Sequence, residues 1–217
     1  MPGDLQIPLF PLDNVVLFPR VEVPLYVFEP RYRQLTADAI AGDRRIGMVA
    51  VLPGSRDEMS GDPPVFPVGC AGEISQAQPH QDGTYHIVLH GTHRFRIRDE
   101  VPKPADRLYR IARIEPLVEP APEPPSELEP IRDRVLELMQ RILPDRADRF
   151  VRGTFEQIDD ATFVDAFCQS LDFGTLEKQQ LLEANGVRAR AEQLVALIEF
   201  RIAEHRVPRQ PGSESIH

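Results

Sequence analysis

Residues 1–120 alternate between short apolar runs and turn residues, a pattern typical of β-strands. Seven runs are predicted as strands: LQIPLF, NVVLF, VEVPLYVF, IGMVAVL, VGCAGEISQAQ, TYHIVLHGTHRFRIRD and YRIARIEPLV. The clearest alternation begins at Tyr85, since Tyr85, Ile87 and Leu89 would share one face of a strand. Asp82 and Gly83 precede this run, and this dipeptide favours a hairpin turn to the preceding strand.

Prolines interrupt the opening runs at positions 8, 11, 19, 24 and 30. Proline donates no backbone hydrogen bond, so in sheets it is confined to edges, strand starts and bulges. Many short strands broken by proline and glycine therefore favour a small, strongly bent β-barrel over a flat sheet. One helix is predicted within EPRYRQLTADAIAGD, where Pro30 suits the first turn and an apolar stripe follows through Tyr32, Leu35, Ala39 and Ile40.

After residue 120 the apolar spacing changes from two residues to three or four, which indicates helices. Four helices are predicted: one from Ile131 to Ile142 stopped by Pro144, one carrying Phe163 and Phe167, one capped by Thr175, and a last one from Val187. Short links between them imply a small bundle. The predicted fold class is α+β, with an N-terminal bent β-barrel carrying one helix followed by a C-terminal α-helical bundle.

The same change of texture predicts the domain organisation. The barrel is assigned to residues 1–120 and the bundle to residues 131–207. Residues 121–130 are acidic and rich in proline, and we expect a semi-rigid linker that is not folded. The polar residues 208–217 are expected to be a disordered tail.

Composition narrows the function. The chain has 217 residues, is 41% hydrophobic and carries a formal net charge of −9. A sequence-independent nucleic-acid binder needs a basic surface, so nucleic acid is an improbable partner. No run reaches the roughly 18 apolar residues of a membrane span, and the N-terminus lacks a signal core. With only two cysteines, far apart, we expect a cytoplasmic protein without a disulfide framework.

An aromatic stretch, YVFEPRYRQL, supplies the first candidate site through Tyr26, Phe28, Glu29, Arg31 and Tyr32. In a structural interpretation, Phe28 and Tyr32 plug the barrel end against the helix, while Glu29 and Arg31 fix the turn. In a functional interpretation, these residues form an aromatic rim that receives unfolded segments, because aromatic residues and arginine anchor binding surfaces.

Three arginines alternate along the long predicted strand at Arg94, Arg96 and Arg98. Three guanidinium groups on one strand face could bind an acidic peptide, a carboxylate or a phosphate, and RNA is a further alternative. Pairing with the protein's own acidic residues is the structural interpretation.

Metal and nucleophile sites are weakly supported. His86 and His90 would lie about 13 Å apart on a strand, too far for one zinc ion whose ligands lie within about 2.1 Å. We therefore interpret His86, His90 and His93 as surface histidines and predict no metal site. Cys70 lies directly after Gly69, which does not match a nucleophile elbow, and a buried thiol is expected. No cofactor is predicted.

The stretch LFPLDNVVLFPRVEVPLYVFEPRYRQL resembles the opening of the N-terminal, substrate-binding domain of the ATP-dependent Lon protease. The segments VGCAGEI, DGTYHIVLHGTHRFRI and IDDATFVDAFCQSLDFGTLEKQQLLEANGVRARAEQLVALI are similar to later parts of that domain, in the same order. The resemblance covers roughly residues 5–200. It implies a PUA-like β-barrel followed by a helical bundle, and it implies substrate recognition.

The family's enzymatic motifs do not stand out in this chain. There is no G-x-x-x-x-G-K-[ST] phosphate loop. The two lysines, Lys103 and Lys178, have no glycine-flanked serine nearby that would suggest a Ser–Lys pair. We expect a stand-alone, non-enzymatic module whose partners are unfolded or exposed hydrophobic protein segments. The alternatives are an adaptor or regulator of a protease, or a small-anion or RNA binder using the three arginines.

Overall fold

The structure, a computed structural model, describes residues 5–55, 61–120, 125–142 and 158–206. The barrel part contains β1 (Gln6–Leu12), β2 (Glu22–Val27), α1 (Pro30–Ala41), β3 (Arg45–Ala50), β4 (Val68–Pro79), β5 (Tyr85–Val101) and β6 (Ile111–Pro116). The later part contains α2 (Pro125–Ile142), α3 (Asp160–Ser170), α4 (Thr175–Glu183) and α5 (Val187–Arg206). The predicted α+β class is confirmed.

Five strands close into a ring. β1 pairs with β3 in parallel and with β6 antiparallel, and the antiparallel pairs β3–β4, β4–β5 and β5–β6 complete the circuit. β2 lies outside the ring and pairs antiparallel with the first part of β5. The ladders shift register within β4 and β5, as expected of a bent barrel in which bulges sharpen the curvature.

β1 accommodates its prolines by changing partners along its length. Residues Gln6–Pro8 pair with β6, and residues Leu9–Leu12 pair with β3. Each ladder is therefore only a few residues long, so a missing proline donor interrupts little regular pairing.

The strand predicted for NVVLF is wrong. The segment between β1 and β2 is irregular, although Val16, Leu17 and Phe18 are buried. The backbone N–H of Phe18 donates to the side chain of Gln169 in α3, at 3.2 Å. These apolar residues therefore contribute to the core from a loop, and the Phe18 N–H is satisfied by a helix side chain instead of a neighbouring strand.

Two clusters of buried apolar side chains lie on opposite faces of the strands. One, formed by Ile7, Leu9, Val49, Ala71, Phe95, Ala112 and Ile114, draws on all five ring strands and fills the barrel interior. Alternate residues such as Met48 and Cys70 belong to a second cluster, which includes the buried faces of α1 to α5. This two-sided burial explains the near-continuous apolar sequence of β3.

α1 forms as predicted. Pro30 occupies its first turn, and Tyr32, Leu35 and Ala39 are buried along one face.

α2 begins at Pro125, inside the stretch predicted as an unfolded linker, so that prediction is wrong for residues 125–130. Residues 121–124, Pro144 and the predicted tail lie outside the described residues.

The helical part rests directly on the barrel. The side chain of Gln179 in α4 donates to the carbonyl of Val68, at 3.0 Å. Thr175 does not cap α4, because Gly174 holds the N-cap position. The Thr175 hydroxyl instead donates to the Asp13 carbonyl, at 3.0 Å.

The boundaries assigned to the two domains stay a prediction. One apolar cluster contains residues of both the barrel and the helical part. No helix within the described ranges is long and apolar enough to cross a bilayer.

Candidate functional site

An aromatic surface lies on the outer side of β2 and of the β4–β5 hairpin, and consists of Tyr26, Phe28, His80 and His86. Tyr26 and Phe28 are 51% and 59% exposed, and their ring centroids are 5.9 Å apart. The ring of Tyr26 also lies 4.8 Å from that of His86, its cross-strand partner. Val27 between them is buried, so the period-two geometry of a strand places Tyr26 and Phe28 on the outer side.

This surface borders an open sheet edge. Among the described residues, β2 pairs with β5 on one side and with no strand on the other. The backbone N–H of Gly91 donates to the Val21 carbonyl, so the alternation of an antiparallel ladder turns the polar groups of Glu22, Pro24 and Tyr26 outward. Pro24, at the centre of that edge, lacks a backbone N–H and so cannot donate a hydrogen bond to an added strand. The edge is thus partly protected against uncontrolled strand pairing.

The remaining residues of the aromatic stretch have structural contacts. Tyr32 is buried, its ring centroid lies 4.3 Å from that of Phe10, and its hydroxyl donates to the Pro11 carbonyl at 3.1 Å. Burial raises the pKa of Tyr32 to about 12. The Arg31 guanidinium donates to Glu29 at 3.0 Å, at the start of α1. Glu29 and Arg31 thus contact each other at the start of α1, as the structural interpretation expected. Tyr32 is buried in the apolar cluster that the helices share, and the plug role given to Phe28 is wrong because Phe28 is exposed.

The three arginines of β5 do not share one surface. Arg94 is only 3% exposed, whereas Arg96 and Arg98 are exposed. Arg94 donates to Glu119 at 2.8 Å and to the carbonyls of Leu182 and Ala184 in the helical part. A ligand arriving from solvent cannot reach these donors, so the predicted surface stripe is reduced to Arg96 and Arg98.

Arg98 lies 3.5 Å from Glu115 on β6. This is the cross-strand pairing of the structural interpretation, and both side chains are more than half exposed. Such a pair is easily broken by a competing anion, because exposed ion pairs contribute little to stability. A binding role for Arg96 and Arg98 stays a prediction.

Arg94 belongs to a buried ionic network between barrel and helices. Asp165 in α3 accepts hydrogen bonds from Arg20 and, at 2.6 Å, from Arg190. Arg190 also donates to Glu119 at 3.0 Å, and Glu119 accepts from Arg94. Burial, together with the neighbouring Arg190 charge, lowers the pKa of Arg94. This network was not predicted from the sequence, although Asp165 is a charged residue within an otherwise apolar helical run.

Both cysteines are free and buried. Burial raises the pKa of the Cys70 and Cys168 thiols well above the usual value. The reactive thiolate is therefore disfavoured at both positions. The expectation of a buried Cys70 thiol is confirmed.

The histidines are grouped differently from any arrangement considered in the sequence. His86 is exposed, and its Nδ1 lies 2.6 Å from Nε2 of His80. His90 and His93 take no part in this contact. His80 was not among the candidate residues predicted from the sequence. It follows the end of β4 at Pro79, whereas the cross-strand partner of His86 is Gln78, so the contact depends on the course of the turn. Within the described ranges, no group of three or more His, Cys, Asp or Glu side chains is arranged to hold a metal ion.

The family model and the similar proteins described below all relate this chain to Lon protease. The family model described as the ATP-dependent protease La (LON) substrate-binding domain matches residues 6–199. A Lon protease from Flavobacterium johnsoniae is 32% identical over 191 residues, which cover 86% of this chain and 23% of that protein. A Lon protease from Escherichia coli K12 is 27% identical over 205 residues, covering 91% of this chain and 25% of that protein. The chain thus spans about a quarter of the length of these relatives.

Solved structures show the same fold. A crystal structure of a Lon N-terminal domain protein from Xanthomonas campestris has a TM-score of 0.61 and 25% identity, and the match covers 88% of this chain and 98% of that one. The N-terminal domain of a Mycobacterium avium complex Lon protease has a TM-score of 0.68 at 17% identity, with 90% and 98% covered. The chain belongs to the family of the substrate-binding domain of ATP-dependent protease La (Lon).

Proposed function

We propose that this chain is a non-catalytic module that binds exposed hydrophobic segments of unfolded proteins at the aromatic surface. The single observation that carries the proposal is the exposure of two adjacent aromatic rings, Tyr26 and Phe28, at 51% and 59% in a member of a substrate-binding family. Large apolar side chains are costly to leave in water, and aromatic residues dominate the energetics of binding surfaces.

The partner that fits best is an extended, apolar polypeptide segment. The outward groups of β2 include the N–H and C=O of Glu22 and Tyr26, which could pair with an extended backbone. Tyr26 and Phe28 would contact its apolar side chains. Pro24 interrupts the edge, so only a short ladder can form, which suits transient binding of many sequences.

Two observations support binding rather than catalysis: the description of the matching family, and the burial of Cys70 and Cys168. The family description names substrate binding. Both cysteines are buried with raised pKa values, so neither offers an accessible nucleophile. A further step, in which bound segments are passed to a protease, would make the chain an adaptor; co-purification with a protease from native extract tests that step.

Fluorescence anisotropy tests the proposal directly. The probe is a fluorescein-labelled, unstructured peptide rich in Leu and Phe, compared with a polar peptide of equal length. The double variant Tyr26→Ser/Phe28→Ser should bind about 10-fold more weakly, since losing hot-spot residues costs at least about 1 kcal/mol. The matched control is Leu176→Ser/Phe200→Ser, which removes apolar side chains that are 51% and 57% exposed on the helices.

Three outcomes would contradict the proposal: equal affinity of the two double variants, equal binding of the two peptides, or no binding at all. Short RNA and an acidic peptide are titrated alongside. Binding of these probes that is lost in Arg96→Ala/Arg98→Ala would instead support the anion-binding alternative.

A further inference from the structure

We propose that His80 and His86 form a binding site for a divalent transition-metal ion, with Cu²⁺ bound more tightly than Zn²⁺. His80 Nε2 and His86 Nδ1 face each other at 2.6 Å. The ring centroids lie 4.7 Å apart in an edge-on arrangement. Two imidazole nitrogens therefore already face each other at the protein surface. The proposal goes beyond peptide binding and does not rest on it.

The hairpin holds the two rings in place. The backbone N–H of His80 donates to the Thr84 carbonyl at 2.9 Å, and that of Gly83 donates to the His80 carbonyl at 3.0 Å. Gly83 has a φ of +79°, which glycine adopts without strain. His86 is further fixed by the Tyr26 ring, 4.8 Å away. Both ligands thus lie on a rigid β-hairpin, and little ordering is required when a metal binds.

Metal binding requires the two rings to separate slightly and to rotate, because the facing nitrogens point at each other and must turn towards a common ion. Imidazole nitrogens bind zinc at about 2.0–2.1 Å, so two of them on a tetrahedral ion lie about 3.3 Å apart. Separating the facing nitrogens by less than about 1 Å creates that space, and water would fill the remaining positions. Imidazole ligands suit zinc, copper and nickel, and copper binds most tightly in this series.

The proton balance is simple. In the neutral pair, one of the two facing nitrogens carries the bridging hydrogen and the other accepts it. On metal binding this hydrogen moves to the far nitrogen of the same ring, so both facing lone pairs coordinate and no net proton is released. The intervening turn has charges of both signs close to it: the Asp82 carboxylate, which interacts with His80, and the Arg33 guanidinium of α1, which lies against Gly83.

Isothermal titration calorimetry with CuCl₂ and with ZnCl₂ tests this site on the full chain. The chain has six histidines, so all proteins carry His205→Ala and His217→Ala to remove competing sites. We expect one metal ion per chain and at least about 10-fold weaker binding in His80→Ala or His86→Ala. His90→Ala, also on β5, is the matched control and should bind as the parent does.

Tyrosine fluorescence gives a second measurement, which reports where on the protein the Cu²⁺ ion is bound. The chain has four tyrosines and no tryptophan, and Cu²⁺ bound at His86 should quench Tyr26. The quenching should therefore be reduced in Tyr26→Phe. Circular dichroism checks that each variant is folded. Copper affinity of His80→Ala and His86→Ala equal to that of His90→Ala, or no binding by the parent at millimolar copper, would overturn the proposal.

Discussion

Asp165→Asn should destabilise the protein more than any surface substitution, because Asp165 is the fully buried acid of the ionic network. Its side chain and that of Arg190 are both 0% exposed. Arg190 Nη1 donates to Asp165 at 2.6 Å. The substitution keeps the size of the side chain and removes its negative charge. The guanidinium of Arg190 then remains in the interior without its buried counter-charge.

The structure sets the expected magnitude. Removing one partner of a buried ion pair costs about 3–5 kcal/mol, because an uncompensated charge is left behind. Arg20 is 31% exposed, so it can turn towards water and adds little to this cost. Arg190 keeps Glu119 at 3.0 Å, which offsets part of the loss. We therefore expect a decrease near the lower end, about 3 kcal/mol.

Urea denaturation followed by circular dichroism measures this change in the free energy of unfolding. Glu137→Gln is the matched control, since its partner Arg134 is 40% exposed and Glu137 is 64% exposed. That substitution should cost less than about 1 kcal/mol. The double variant Asp165→Leu/Arg190→Met, which removes both charges, should recover stability relative to Asp165→Asn. A loss for Asp165→Asn no larger than that of Glu137→Gln would refute the reasoning.

Three further predictions concern single positions. Burial raises the pKa of Tyr32 from its usual 10.0 to about 12, and burial together with the Asp38 contact also raises the pKa of Tyr109. Absorbance at alkaline pH should therefore show late-titrating tyrosines, and Tyr32→Phe should lose one of them. Since the folded-state value is the higher one, the stability linked to Tyr32 should persist below pH 10 and fall as the pH rises towards 12; an early titration of all tyrosines would contradict this. Gly69→Ala should lose about 1–3 kcal/mol in urea unfolding, because the new Cβ would lie 2.5 Å from the Met48 carbonyl oxygen; unchanged stability would argue against the close packing there. Asp159→Ala should cost about 1 kcal/mol, because its carboxylate accepts from the Thr162 backbone N–H at 3.0 Å and caps α3; the thermal unfolding midpoint tests this, and an unaltered midpoint would show that the cap is dispensable.

Local sequence patterns predicted most elements of this fold. The alternation at Tyr85, Ile87 and Leu89 identified β5, and the spacing after Pro30 identified α1. The spacing of apolar residues and the residue preferences of turns are set by residues close together in sequence. Both can therefore be recognised without knowledge of the rest of the chain. The pattern failed at residues 14–18, where apolar residues are buried from a loop, because burial alone does not distinguish a strand from an irregular segment.

The candidate site was predicted only in part. Tyr26 and Phe28 are exposed as the functional interpretation required, whereas Tyr32, four residues later, is buried. Arg94 looked equivalent to Arg96 and Arg98 in sequence. Its carbonyl partners at Leu182 and Ala184 lie 88 and 90 residues away, and no local pattern could have revealed them.

The sequence by itself determined the type and order of most elements and the face on which their side chains lie, because backbone geometry fixes the alternation along a strand or helix. Only the tertiary structure decided which of those faces is covered. Helices packed over one side of β5 bury Arg94, while the open edge of β2 leaves Tyr26 and Phe28 in water and the hairpin brings His80 to His86. Which atoms cover a face depends on segments distant in the chain, and that is a property of packing rather than of local pattern.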